Sequence, residues 1–341
     1  MPGSPWLEGE NPRDHDLVET KDNTIYVVVG NQHPPDSIMC YPKYIPVEHE
    51  TPWKRRNKYF LRIPSCYEVN HIYEKSRIKP SQVYDARYGV MVLGVKRRDV
   101  TRYYDPARRL QEIIRSPKDQ LEALVVEVVY QLSRLGVHVD SLGVTGSILL
   151  GIHNSSVSDI DLIVYGCREA YSLVEKLGEK GIGELEALRN KRLAEWVKCH
   201  SRAYGLPGEL VKKYYATWRR LVYRGREVSL TYVNPETSKR FYENVYRYLG
   251  PARIIVDVEP WQCGSIYYPS RTLALLERVE KGPSLKEREI EIVSYESLYL
   301  KPLVFGGRLL VEGALYQDSY GHLQLLVGVR EHRGFIKPLH S

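Results

Sequence analysis

The sequence predicts an α+β protein in which a mixed sheet with helices is flanked by a β-rich N-terminal module and a small C-terminal β-barrel or sheet. Short β-branched runs between prolines and charges dominate residues 14–115. Helical and strand periodicities then alternate up to residue 258, and three more strand-like segments follow residue 283. We therefore expect three domains: a β-rich module (1–115), a core with a basic helical segment (116–270) and a C-terminal β-rich domain (271–341).

The composition is that of a folded protein with a mildly basic charge. Of the 341 residues, 43% are hydrophobic and 27% are charged, which is typical of a folded chain. No apolar run reaches the roughly 18 residues that a membrane span needs, and residues 1–11 contain no apolar signal region. We therefore expect a cytoplasmic protein with no membrane partner. The net charge of +7 favours polyanionic partners such as nucleotides or nucleic acid.

The cysteines are few and scattered along the chain. None of the five stands in a C-x-x-C pair, so a zinc ribbon is not expected. Their odd number and irregular spacing also argue against a disulfide framework. The five are Cys40, Cys66, Cys167, Cys199 and Cys263.

Periodicity assigns elements within each zone. The N-terminal zone has predicted strands at 24–29, 37–44, 58–63 and 88–95. The middle zone has predicted helices at 117–135, 169–178, 184–203 and 207–223, and predicted strands at 139–145, 159–165, 228–233 and 254–258. The last zone has predicted strands at 289–294, 309–316 and 322–329.

Two acidic residues stand at the start of an apolar strand. Asp159 and Asp161 lead directly into the apolar residues 162–164, a pattern typical of a buried strand. Because strand side chains alternate between faces, both carboxylates project the same way, roughly 7 Å apart. The two charges repel each other, and a divalent cation between them would reverse that balance. The pattern therefore predicts a Mg²⁺ site that carries a triphosphate.

A Gly-Ser pair follows the preceding predicted strand. Gly146 lets the backbone turn tightly and approach a ligand closely. Ser147 can donate its hydroxyl and its backbone N–H to a phosphate oxygen, and a helix beginning there would point its positive end at the same anion. We therefore expect Gly146 and Ser147 to bind the triphosphate.

These residues resemble the signature of the DNA polymerase β-like nucleotidyltransferase superfamily. The match lies in residues 144–149 and 158–162, and the chain looks like the archaeal predicted nucleotidyltransferases of that superfamily. The resemblance implies a polymerase β-like core and transfer of a nucleoside monophosphate from an NTP, such as ATP, to an acceptor hydroxyl with release of pyrophosphate. It further implies two Mg²⁺ ions, with Mn²⁺ as an alternative, held by three carboxylates.

The third carboxylate departs from the family pattern. Ser229 and Thr231 stand on the predicted strand where the family would place an acid. Asp257, an acid within an apolar strand, is our choice for the third metal ligand, because a buried acid needs a partner or a metal. Glu227, at the entrance of the earlier strand, is the alternative.

A basic stretch with interleaved aromatic residues follows the predicted metal site. Lys, Arg, Trp and Tyr crowd residues 189–226, and such groups can hold phosphates and stack on bases. Amphipathic helices that bury aromatics and expose cations would give the same pattern. We expect Arg219 and Arg220 to bind the acceptor, with RNA as the predicted acceptor. The rival hypothesis is a non-catalytic RNA- or nucleotide-binding protein on a decayed transferase fold.

Overall fold

The computed structural model describes residues 3–5, 11–63, 67–79, 81–236 and 244–339. Its strands form three sheets, which include a closed five-stranded barrel and a half-barrel. Strands account for 38% of the chain and helices for 28%. The described part of the chain contains no helix with the length and apolar character needed to cross a bilayer.

The first sheet has nine strands and is antiparallel throughout. Its order is β1-β9-β2-β3-β4-β6-β5, and β8 joins it through β4 and in turn pairs with β7. The long strand β4 therefore connects both parts of the sheet. The elements of this region are β1 (Ser4–Pro5), β2 (Leu17–Thr20), β3 (Ile25–Val28), β4 (Ser37–Val47), β5 (Trp53–Arg55), β6 (Lys58–Arg62), α1 (Val69–Ser76), β7 (Gln82–Asp85), β8 (Val90–Lys96) and β9 (Val100–Tyr104).

The second sheet is mixed and lies in the middle of the chain. Its order is β10-β11-β15-β14-β13-β12, in which the pair β11–β15 is parallel and the other pairs are antiparallel. Apolar faces of α2, α3 and α5 pack against it in one core cluster. The elements are α2 (Pro106–Arg115), α3 (Gln120–Arg134), β10 (Leu142–Val144), α4 (Gly146–Leu150), β11 (Ile160–Tyr165), α5 (Cys167–Leu177), β12 (Gly181–Ile182), β13 (Leu185–Ala187), α6 (Asn190–Tyr204), α7 (Gly208–Tyr214), β14 (Arg220–Tyr223) and β15 (Arg226–Val233).

The third sheet closes on itself. Strands β16, β17, β18, β20 and β19 form a ring because β16 also pairs with β19, and β21 pairs with the first half of β19, beyond the part paired with β20. Its apolar core is shared with α6 and α7. The elements are β16 (Tyr246–Val258), α8 (Cys263–Ile266), β17 (Ser270–Lys281), β18 (Glu289–Ser294), α9 (Leu300–Phe305), β19 (Gly307–Asp318), β20 (Leu323–Val327) and β21 (Phe335–Pro338). Three 3₁₀ turns complete the structure at Arg97–Asp99, Val139–Ser141 and Ser297–Tyr299.

The predicted fold class, α+β with a polymerase β-like core, is wrong. The structure is β-rich, with three sheets that include a closed barrel and a half-barrel, and it is not the expected α+β core of the polymerase β type. Periodicity within each segment did not reveal the strands at Leu17–Thr20, Gln82–Asp85 and Ser270–Lys281. Such strands are stabilised by partners far along the chain, which a local pattern does not contain.

The basic stretch also folds differently from its prediction. The helices expected at 184–203 and 207–223 are shorter in the structure. Residues at the start of the first range form strand β13, and residues at the end of the second range form strand β14. Strand β14 pairs with β15 through a two-residue turn in which Arg224 and Gly225 have φ values of 43° and 78°. Positive φ at both central residues is the conformation that a tight hairpin requires. The sequence Arg224-Gly225 therefore marks a hairpin rather than the end of a helix.

The expectation of no disulfide framework is wrong as well. Cys167 and Cys263 form a disulfide with their Cα atoms 5.3 Å apart and a sequence separation of 96 residues. Cys199 is also disulfide-bonded, whereas Cys40 is a buried free thiol. Counting cysteines failed because it ignored that α5 and α8, which carry Cys167 and Cys263, pack together.

Candidate functional site

Two of the three predicted metal ligands, Asp159 and Asp161, line one cavity of about 380 Å³, here called the aspartate cavity. Strand β11 is central in its sheet, between β10 and β15, and its apolar residue Leu162 is fully buried in the core on one face. Asp161 projects from the other face into the cavity, and Asp159 lines the same cavity two residues earlier. Alternation along the strand thus places both carboxylates together.

The Gly-Ser pair lies directly against Asp161. The N–H of Thr145 donates a hydrogen bond to the carbonyl of Asp161 at 2.9 Å, which fixes the start of α4 beside β11. Gly146 has a φ of 66°, and a Cβ there would lie 2.4 Å from Oδ2 of Asp161. Only glycine fits this position. Ser147, which is 6% exposed, lines the cavity next to it.

Four cations also line the aspartate cavity. Lys43 comes from β4, Arg62 from the end of β6, and Arg219 and Arg220 from the start of β14. Across the described ranges, none of the four has a carboxylate oxygen within the 4.0 Å of an ion pair. With two aspartates facing four unpaired cations, the cavity carries an excess of positive charge.

Each arginine is oriented by a hydroxyl or carbonyl oxygen. Arg62 donates to the hydroxyl of Tyr67 at 3.0 Å, and its buried Nε has no hydrogen-bond partner. Arg219 donates to the carbonyl of Ser297 at 2.9 Å. Arg220 donates to the hydroxyl of Ser229, the residue paired with Asp161 on the neighbouring strand. The guanidinium groups therefore retain their charge and spare donors for a ligand.

Burial and the neighbouring charges together determine the pKa values of the groups in the cavity. The pKa of Asp159 is raised to about 6, first because burial by the cavity walls disfavours the charged form and then because Asp161 and Glu227 lie near. This happens although Asp159 is open to water at one side. Burial acts in the same direction on Asp161, but the cations, Lys43 first, hold its pKa below the usual value. Burial, reinforced by Arg220, lowers the pKa of Arg219 to about 10.

The two candidates for a third acid lie in different places. Asp257 is exposed on barrel strand β16, opposite Leu275 and Arg308, and does not line the aspartate cavity. Glu227 precedes Val228, the partner of Ile160 in the β11–β15 pair, and is close enough to raise the pKa of Asp159. The structure therefore brings Glu227, and not Asp257, beside the aspartates. Within the described residues no three His, Cys, Asp or Glu side chains form a cluster able to hold a metal ion.

Three aromatic residues of the basic stretch are core residues, whereas Trp196 is half-buried and lines the aspartate cavity. Tyr214, Trp218 and Tyr223 are each less than 5% exposed, so they cannot stack on bases in this structure. Arg219 and Arg220, predicted to bind an acceptor from an exposed helix, face the aspartate cavity instead.

The sequence reasoning missed Lys43, Arg62 and Tyr67. The sequence does mark Lys43, because it is a lone lysine inside the apolar strand Ser37–Val47. Burying a charged side chain there is costly unless the charge has a partner. Arg62 ends a strand and carries no such mark. Comparison with known proteins adds no further residues: no family model, curated protein or solved structure matches the chain.

Proposed function

We propose that the protein is a Mg²⁺-dependent nucleotidyltransferase that moves a nucleoside monophosphate from an NTP to an acceptor hydroxyl and releases pyrophosphate. The observation that supports it is the meeting of Gly146, Ser147, Asp159 and Asp161 in one cavity with four unpaired cations. A triphosphate supplies the negative charge that would neutralise these cations, and oriented guanidinium groups can donate hydrogen bonds to its oxygens.

The carboxylates fit a divalent cation. Burial and the nearby Asp161 raise the pKa of Asp159, so its charged form is disfavoured, and a cation bound to both carboxylates would relieve that cost. Asp159 and Asp161 would hold the metal, with Glu227 as the nearest further acid. When bound, Mg²⁺ activates the attacking oxygen and stabilises charge on the leaving group; Mn²⁺ could replace it.

The remaining residues position the NTP. Lys43, Arg62, Arg219 and Arg220 would neutralise the triphosphate and the departing pyrophosphate. Ser147 would donate to a phosphate oxygen, and Gly146 keeps the backbone close to Asp161. These groups act by binding and orientation, which supply much of the catalysis in phosphoryl transfer.

RNA stays our predicted acceptor, contacted by the exposed lysines of α6 and α7 such as Lys198 and Lys212. We also propose a cytoplasmic location. A cytoplasmic protein with the Cys167–Cys263 disulfide would fit the intracellular proteins of hyperthermophilic archaea, which keep disulfides.

A second candidate function is nucleotide binding without catalysis. Ser229 stands beside Asp161 where a third carboxylate would complete the metal site, and the described residues contain no three-acid cluster. Such a protein would bind an NTP through the four cations and transfer nothing.

The test is pyrophosphate release from each of the four NTPs with Mg²⁺, with and without total cellular RNA. We expect release by the wild type and a loss of at least about a thousandfold in the folded Asp159→Asn, Asp161→Asn double variant, since amides cannot replace carboxylates as Mg²⁺ ligands. Near-normal release by that variant would falsify the proposal. NTP binding without any release would establish the second candidate.

Two further variants identify the third acid in the same assay. Glu227→Gln should lower pyrophosphate release, because Glu227 lies beside Asp159. Asp257→Asn should resemble the wild type, because Asp257 is an exposed residue of the barrel. The opposite result would restore the choice made from the sequence.

A further inference from the structure

A second and larger cavity of about 550 Å³ lies beside the aspartate cavity. It is called here the amide cavity, because carboxamide side chains such as Asn31, Gln32 and Gln324 line it. Its volume falls in the roughly 300–1,000 Å³ range of small-molecule sites. Tyr267, Tyr268 and Tyr295 line both cavities, so the two cavities are adjacent.

The arginines of the amide cavity are already paired. Arg87 forms two hydrogen bonds with Asp85, at 3.0 and 2.8 Å, and Arg271 donates to Glu291 at 3.1 Å. These pairs leave no excess positive charge comparable to that of the aspartate cavity. The amide cavity is therefore suited to an uncharged group rather than to a phosphate.

A hydrogen-bond network holds the polar wall in place. Gln324, 4% exposed, accepts from the hydroxyl of Tyr88 at 2.7 Å and donates to Tyr246 at 3.0 Å and to Glu291. The rings of Tyr88 and Tyr246 stack with their centroids 4.9 Å apart. The wall is thus fixed before any ligand arrives, which reduces the entropy lost on binding.

Two hydroxyl groups of this wall keep a donor for a ligand. Tyr246 accepts the bond from Gln324, and no acceptor for its own proton occurs among the described residues. The hydroxyl of Tyr295 makes no hydrogen bond within the same residues, and it borders both cavities. A ligand here needs hydrogen-bonding edges to use these groups and flat rings to lie against the tyrosines.

We propose that the amide cavity binds the nucleoside part of the NTP whose triphosphate occupies the aspartate cavity. A nucleobase offers both a ring face and polar edges, its ribose offers hydroxyls, and the whole group is uncharged. The shared tyrosines place it next to the phosphate-binding cations. This inference rests on the proposed function, since it requires an NTP in the aspartate cavity.

The test is calorimetric titration with adenosine, guanosine, cytidine, uridine and inorganic tripolyphosphate in Mg²⁺ buffer. We expect at least one nucleoside to bind the wild type. The Tyr246→Phe, Tyr295→Phe double variant should bind it about tenfold or more weakly, from two lost hydrogen bonds, and keep its affinity for tripolyphosphate. The exposed Tyr320→Phe, altered at a residue that is 76% exposed, is the matched control and should bind like the wild type.

Tyr295→Phe alone provides a second variant that should fold normally, because its hydroxyl has no partner in the described chain. Unchanged nucleoside affinity in the folded variants, or a nucleoside that binds alongside saturating NTP, overturns the inference and leaves the proposed function standing. Failure of the wild type to bind tripolyphosphate would instead overturn the proposed function, and the inference with it.

Discussion

The aspartate cavity and the amide cavity share three tyrosines but differ in whether their cationic side chains have carboxylate partners. The first leaves Lys43, Arg62, Arg219 and Arg220 without carboxylate partners within the described residues, whereas the second pairs its arginines with Asp85 and Glu291. Unpaired cations in a cavity repel one another and cost stability unless an anion binds. Paired ones stabilise the fold and leave recognition to neutral groups. The difference teaches that charge compensation, more than shape, indicates what each cavity can bind.

The largest effect expected from this comparison is at Arg220. Arg220→Met should weaken tripolyphosphate binding by roughly 10- to 100-fold, the value of one charge-assisted contact. Its stability should change little, because the lost attraction to Asp161 is offset by the removed repulsion with Arg219. Arg271→Met should do the reverse: tripolyphosphate affinity is kept, and stability falls because Glu291 loses its partner. Titration calorimetry and thermal unfolding measure the two properties.

A matched control for Arg220 is Arg224, which lies in the turn that follows the same strand. Arg224 is exposed on the surface and ion-paired with Glu184, so Arg224→Met should change neither property appreciably. If Arg220→Met and Arg224→Met bind tripolyphosphate alike, the unpaired cations of the aspartate cavity are not a phosphate site.

How much of the site a sequence reveals depends on how local its signals are. Gly146, Ser147, Asp159 and Asp161 lie within 16 residues, so turn chemistry and strand alternation suffice to propose that they meet. Lys43 and Arg62 come from strands about a hundred residues earlier, and only the packing of the first sheet against the second brings them there. No periodicity within either segment contains that information.

The fold shows the same division. The strands predicted at 24–29, 37–44 and 58–63 correspond to β3, β4 and β6, because β-branched runs bounded by turn residues are local features. The closed barrel depends on the pairing of β16 with β19, whose partners lie up to 72 residues apart. The sequence predicts Arg219 and Arg220 as binding residues but places them on an exposed helix. The helix prediction is wrong because the periodicity does not identify the hairpin at Arg224-Gly225.

The next prediction concerns the close approach of Gly146 to Asp161 in the aspartate cavity. Gly146→Ala should lower the free energy of unfolding by about 2–3 kcal/mol, from its positive φ and from contact with Asp161, and should also reduce pyrophosphate release. Gly205 is a matched control: its φ is 64°, and a Cβ there would meet nothing within 4 Å. Gly205→Ala should therefore cost only the backbone term, about 1 kcal/mol. Equal losses in chemical denaturation would show that Asp161 is not held against the glycine.

The smallest effect is expected at Glu296, next to the shared Tyr295. Glu296 is 1% exposed and accepts hydrogen bonds from Tyr204 at 2.7 Å and from the N–H of Val69 at 3.2 Å. Its pKa is raised from 4.5 to about 8, first by burial and then by the nearby charge of Glu68. Glu296 is thus comparable to the cations of the aspartate cavity, because it is a buried ionisable group without full charge compensation, but its own charge is negative.

Because the folded-state pKa of Glu296 lies above the unfolded one, the protonated form stabilises the fold. That contribution is complete below about pH 4.5 and is lost as the pH rises toward 8, by at most about 1.4 kcal/mol per pH unit. Glu296→Gln stays neutral, and its oxygen can accept from the N–H of Val69 while its amide group donates to the hydroxyl of Tyr204. Its stability should therefore fall less between pH 5 and 8 and exceed that of the wild type at the upper end. Denaturant unfolding at several pH values measures this, with the exposed Glu331→Gln as the control that should follow the wild type. Parallel curves for wild type and Glu296→Gln would mean that Glu296 is charged in the folded protein at neutral pH, compensated by Arg333.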